Sequence, residues 1–262
     1  MSRSEQLAKA RAALAQEGKS PRELGDDARL KVLNWIYQWG YSTSTCIQAM
    51  LGRTSGGYSQ KLVRQGWLVA TKTESGSPEY YFTLSERGLQ EAERYASILL
   101  PYPELDPYKV NQQHVRHYLI AQMATINALG SGVVMDHETE RMCCQQGDKP
   151  GEKRPDVVWK MSSGLRIACE IELSAKWNRH LDQFVLGVAR ALQSNDNQPS
   201  RFDRFAVICD SPAILDRYRA AMMPNSPLNI WSKNQRNHWA IDKTITVPAW
   251  LIGRVDFQLI GR

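Results

Sequence analysis

The residues best equipped for chemistry lie between Arg154 and Lys176, in RPDVVWKMSSGLRIACEIELSAK. Pro155-Asp156 opens a short apolar run, Val157-Val158-Trp159. A turn, Met161 to Gly164, leads to a second run, Ile167 to Leu173. A strand alternates its side chains between two faces. Ile167, Cys169, Ile171 and Leu173 then share one face, and Glu170 and Glu172 share the other. A hairpin through Ser163-Gly164 brings Asp156 near the two glutamates. Three carboxylates on one face repel each other unless something cationic sits between them, and Mg²⁺ takes oxygen ligands of this kind. Asp156, Glu170 and Glu172 are therefore the candidate metal ligands, and Lys176, a few residues on, has a side chain that could reach the same place. An antiparallel strand with one wet face shows the same alternation, its glutamates merely solvated.

The elements around this stretch must position it. An amphipathic segment runs from Asn111 to Leu129, and VVMDHETERM reads as the first strand of the same domain, with Glu138 or Glu140 at the edge of the acidic group. His114 and His117 lie three apart on one helix face, but no Cys or acidic partner at fixed spacing completes a zinc site. That helix is expected to pack on the sheet with His117 and Tyr118 at its rim. After the hairpin come a helix over 177–193, a buried strand at Phe205–Cys209, and a helix begun by Ser211-Pro212. A helix starting at Trp177-Asn178 is expected to carry Lys176 past the edge of the acidic group. Cys143-Cys144 are read as space-filling. Residues 221–262 show no clear period.

The first third has a different grammar. Residues 1–25 read as a charged, alanine-rich arm. Asp26 is expected to cap a helix, DDARLKVLNWIYQWG, closed by Gly40, with Leu30, Leu33, Ile36 and Tyr37 on one side. A short helix capped by Ser42 or Thr43 follows. A third helix ends at Gly66. Trp67–Thr71 and Glu79–Leu84 read as paired strands around a polar turn, and Ser85 caps a last helix. Residues 97–110 hold three prolines and read as an interdomain linker.

Composition narrows the classes. The 262 residues are 42% hydrophobic with a formal net charge of +6, which suits a packed protein and is compatible with a polyanionic partner. No apolar run approaches the ~20 residues that span a bilayer, and the opening segment lacks the apolar core of a signal peptide. The five cysteines form no Cys-x-x-Cys pair, which fits a reducing cytoplasm. No glycine-rich phosphate loop and no Gly-x-Ser-x-Gly elbow is present.

Two resemblances follow from these motifs. Pro155-Asp156 with Glu170-Ile-Glu172 resembles the PD-(D/E)xK nuclease fold over roughly residues 130–220, with Glu172 standing where that fold usually has lysine. The likeness implies catalytic roles for Asp156, Glu170, Glu172 and Lys176, and for Gln183 on the following helix. The helix order of the first third, with its hairpin and final helix, resembles a winged helix-turn-helix. There the third helix would enter the major groove. Arg53, Thr54, Ser55, Tyr58, Ser59, Gln60, Lys61 and Arg64 are its candidate contacts, with Lys72 on the wing.

Together the two halves resemble the replication-relaxation family of plasmid and mobile-element proteins. The fold expected is α+β with an arm (1–25), a winged helix-turn-helix (26–96), a linker (97–110) and a restriction-endonuclease-like sheet with flanking helices (111–262). The resemblance implies a cytoplasmic DNA-binding accessory protein of replication, conjugation or mobilisation. Its partners would be double-stranded DNA, other replication or mobilisation proteins and, in a homodimer, a second copy. Mg²⁺ is the one cofactor implied. An Mg²⁺-dependent endonuclease and a winged-helix transcriptional regulator are the alternatives. The absent lysine argues for metal binding without robust cleavage.

Overall fold

The computed structural model describes residues 18–144, 153–194 and 199–260. Most of the expected N-terminal arm lies outside them. The protein is α+β, with helices and both antiparallel and mixed sheets. It divides into two compact units, Met1–Gln112 and Gln113–Arg262.

In the first unit, helix α1 spans Pro21–Trp39. It begins earlier than the expected cap at Asp26. Ser20-Pro-Arg-Glu23 forms a capping box: the Ser20 hydroxyl accepts from Glu23 N–H, and the Glu23 carboxylate accepts from Ser20 N–H. Gly40 ends the helix at φ +87°, where a side chain would be strained. Helices α2 (Ser44–Met50, capped by Thr43) and α3 (Tyr58–Arg64) follow. Strands β1 (Leu68–Lys72) and β2 (Tyr80–Leu84) pair antiparallel, and Ser42 adds a one-residue bridge to Phe82. Helix α4 (Glu86–Tyr95), capped by Ser85, packs back on α1.

The proline-rich segment read as a linker is folded onto this unit. Leu100 is buried, and its N–H donates to the Tyr37 hydroxyl (2.6 Å). Tyr102 OH donates to the Gly40 carbonyl (2.5 Å) and accepts from Leu84 N–H (2.9 Å). Tyr81 OH donates to the Pro107 carbonyl (2.9 Å). Proline forbids a regular helix here but leaves carbonyls free to accept, and two tyrosines use them: Tyr81 at Pro107, and Tyr37, whose hydroxyl donates to the Leu100 carbonyl (3.2 Å).

In the second unit, α5 (Val115–Gly130) precedes β3 (Val134–Thr139), the short α6 (Glu140–Cys144), β4 (Val157–Met161) and β5 (Arg166–Glu172). Helix α7 (Asn178–Leu192) crosses to β6 (Arg204–Cys209), and α8 (Pro212–Ala221) follows. A ribbon of β7 (Pro227–Lys233) and β8 (Trp239–Thr246) stands apart, and β9 (Val255–Leu259) returns to the main sheet. That sheet has the order β3-β4-β5-β6-β9. Its first three strands are antiparallel neighbours, and β6 and β9 run parallel to β5.

Helix α5 covers one face, where Trp159 Nε1 donates to Thr125 Oγ1 (3.0 Å). The main core fills the other face: Val158 and Ala168 pack with Phe184, Val188, Phe205 and Tyr218. Cys143 is buried and Cys144 exposed, and the five cysteines are free thiols. No helix among the described residues is long and apolar enough to cross a membrane.

Candidate acidic centre of the second unit

The β4–β5 hairpin has Val157 opposite Cys169 and Val158 opposite Ala168. Asp156 lies just before β4, its N–H donating to the Cys169 carbonyl (3.0 Å). Because the strands are antiparallel, the start of β4 and the end of β5 share one end of the sheet. Period two then puts Glu170 and Glu172 on the face that carries Ala168. That face is not wet. Glu170 is 4% exposed and Glu172 3%, beneath α7 and α8.

Burying carboxylates without partners is costly, so each must find a charge or a donor. Glu170 takes the ammonium of Lys153, and Glu172 takes that of Lys176. Both ammoniums lie beside the Phe184 ring, at 6.0 Å and 5.1 Å from its centroid. Asp156 Oδ2 accepts from Ile171 N–H (2.7 Å) and lies 3.3 Å from His117 Nε2, which also donates to the Ile171 carbonyl (2.9 Å).

The charges interact as one group. Burial and then the Asp156 charge push the Glu170 carboxyl well above its ordinary range, while Lys153 pulls it back. Lys153 is drawn down by burial, but Glu170, Asp156 and Glu172 outweigh this and hold it above its usual value. His117 likewise loses to burial and gains more from Asp156, so it is raised. Burial raises Tyr218 and Cys209, with the Glu172 charge adding to it; Cys209 reaches about 12.

One oxygen stands out. Among the described residues, Glu170 Oε2 is buried with no hydrogen-bond partner. An orphaned hard oxygen among carboxylates is chemically suited to a divalent cation such as Mg²⁺. Yet among the described residues no group of three His, Cys, Asp or Glu converges as a ready cradle. The cations beside the glutamates are the chain's own lysines.

Of the residues expected here, Glu172 and Lys176 pair directly, and Asp156 and Glu170 lie near enough to interact electrostatically, but the three carboxylates do not form the metal-ligand set expected of them. Lys176 reaches Glu172 although the helix begins at Asn178, because the non-helical chain from Leu173 to Trp177 turns it back. Gln183 lines a pocket of about 440 Å³ with Lys153, Lys176, Arg190 and Trp231. Glu138 and Glu140 are engaged elsewhere, Glu138 by Arg166 (2.7 Å) and Lys160 (3.1 Å), Glu140 by the Tyr118 hydroxyl (2.5 Å).

Two further residues join the acids. His117, expected at a rim, meets Asp156 because of how α5 crosses the sheet. Lys153 lies three residues before Asp156. It reaches Glu170 because its segment runs close against α7, with Lys153 N–H donating to the Gly187 carbonyl (3.3 Å). A Cβ on Gly187 would stand 3.0 Å from Lys153 Cβ, so glycine permits the approach. The signal was present as Lys153-Arg-Pro-Asp and as a lone glycine in an apolar helix.

In the first unit, Arg53, Thr54, Ser55, Gln60, Lys61, Arg64 and Lys72 are exposed. Tyr58 and Ser59 are not available as surface contacts. They are 8% and 2% exposed, because α3 starts at Tyr58 and turns its first residues, with Leu62, into the core. Ser59 Oγ is 2.7 Å from Ser44 Oγ. Tyr58 instead supports Arg53, whose guanidinium lies 4.0 Å from its ring centroid.

Compared with known proteins, the chain matches no family model, no curated protein and no solved structure.

Proposed function

We propose that this protein is a DNA-binding accessory protein of plasmid or mobile-element replication and mobilisation. In this reading the first unit is a winged helix-turn-helix and the second a restriction-endonuclease-like domain. Three helices, a hairpin and a packed fourth helix support the first assignment, with Gln60, Lys61 and Arg64 presented on one short exposed surface. The second rests on a helix, three antiparallel strands, a crossover helix and a parallel strand, with acids clustered where β4 begins and β5 ends.

The observation that carries the accessory role is the pairing of Glu170 with Lys153 and Glu172 with Lys176. The chain neutralises its own acidic group, so the fold does not require a cation there. A second reading, an Mg²⁺-dependent endonuclease, is favoured by the orphaned Glu170 oxygen and by Lys153, a lysine beside the acids that the Glu-x-Glu motif itself lacks. In that case Asp156, Glu170 and Glu172 would hold the ion, which would supply a Lewis acid for phosphodiester hydrolysis. Lys153 would then steady negative charge, and His117 would fix the orientation of Asp156.

The test of the DNA-binding role is a titration of the full chain with duplex DNA at several salt concentrations. Lys61→Ala and Arg64→Ala should each weaken binding and lower the salt slope by about one. Tyr58→Phe should leave both unchanged. Affinity and slope unaltered in the two basic variants would remove the groove assignment.

A further inference from the structure

The β7–β8 ribbon supplies none of the carboxylates of the acidic centre, yet one of its faces is unusual. Cross-strand partners share a face, so Asn229 with Thr244, Trp231 with Ile241, and Lys233 with Trp239 define successive rungs. At the base Asn229 Nδ2 donates to Asp182 Oδ2 on α7 (3.2 Å). In the middle Trp231 Nε1 donates to Asp182 Oδ2 on α7 (2.7 Å), which fixes the ribbon against that helix. Toward the tip the rungs emerge: Ile241 is 51% exposed and Trp239 43%.

Cations gather around these exposed rings. The Arg179 guanidinium lies 4.3 Å from the Trp239 ring centroid and the Lys233 ammonium 5.6 Å. On the same helix start, Trp177 is 61% exposed, and the Arg217 guanidinium lies 3.4 Å from its centroid. Arg217 is held in place by donating Nε–H to the Lys176 carbonyl (2.7 Å). Two large indoles are thus left partly in water, each with a guanidinium against it.

We propose that the ribbon tip and the start of α7 form a binding surface for single-stranded nucleic acid. Trp239 and Trp177 are its stacking platforms, and Arg179, Lys233 and Arg217 its backbone contacts. Indole rings bind base faces, and cations beside them take the phosphates. In a duplex the base faces are already stacked and only their edges are open, so the target is an unpaired strand. A protein partner is the less suitable occupant, because the exposed rings are bordered by cations. This surface does not depend on the acidic centre holding a metal, nor on duplex binding by the first unit.

The experiment is a fluorescence titration of the full chain, without added metal, using a ~20-residue oligothymidylate. Quenching of tryptophan emission is expected, with unlabelled duplex of equal length a weaker competitor. Trp239→Ala should reduce affinity about tenfold and Trp239→Phe much less, the range for loss of one stacking ring. Lys233→Ala, at an exposed position, should weaken binding and flatten its salt dependence while the thermal melt stays unchanged. Lys61→Ala should leave oligothymidylate binding intact. The proposal is overturned if the oligonucleotide does not bind, if Lys233→Ala and Trp239→Ala bind as the wild type does, or if duplex competes equally and its binding falls in the same variants.

Discussion

The ammonium of Lys153 is ion-paired with the buried carboxylate of Glu170, although Lys153 lies outside the Glu-x-Glu strand. A lysine from the chain ahead of Asp156 thus stands among the acids. The pair offsets one of the buried negative charges of the centre.

Removing one partner of a buried pair leaves the other uncompensated. Lys153→Met is expected to destabilise the second unit by about 3 kcal/mol, the lower part of the range for breaking such pairs, since the ammonium is partly exposed. Adding Glu170→Gln should restore much of the loss. Urea denaturation of the wild type, both single variants and the double variant measures this. Additive losses would mean that the two residues do not interact.

Gly88 tests the packing of the first unit. A helical Gly→Ala change ordinarily stabilises by about 1 kcal/mol. Here a Cβ would lie 2.2 Å from the Trp67 carbonyl oxygen, which is backbone and cannot swing aside. Helix α4 would have to lift from the hairpin. Gly88→Ala should therefore destabilise, by about 2 kcal/mol. A higher melting temperature in that variant would contradict the contact between α4 and Trp67.

Much of this architecture was legible in the sequence, because it follows from local rules. Ser85 reads as a cap and is one, and of the two candidates Ser42 and Thr43 it is Thr43 that caps. The hairpin through Ser163-Gly164 follows from alternation, and Gly164 lies at φ +86°. What could not be read was set by long-range packing. The glutamate face looked wet because no local pattern announces that α7 and α8 cover it. Lys153 and His117 reach the acids from segments whose paths are tertiary. Tyr58 and Ser59 looked like surface contacts because a seven-residue helix gives too few turns to reveal its inner face. Residues 97–110 looked like a linker because proline signals irregularity, and irregular chain can still pack.

The His117–Asp156 contact gives a pH dependence. His117 is raised above its usual 6.5. A raised histidine contributes stability that is full below the unfolded value and is lost as pH rises through the folded one. The stability of the wild type relative to His117→Gln should therefore be greatest below about pH 6.5 and shrink on the alkaline side. Chemical denaturation across that range checks it. A difference independent of pH would remove the charged form of His117 from the account.

The most direct measurement is cleavage of supercoiled and linear DNA by the full chain in Mg²⁺ or Mn²⁺, with Asp156→Ala as control. With Glu170 and Glu172 held by the chain's own lysines, the account predicts duplex binding without robust cleavage, the same in wild type and variant. Metal-dependent cleavage that disappears in Asp156→Ala would contradict the accessory role and establish an endonuclease.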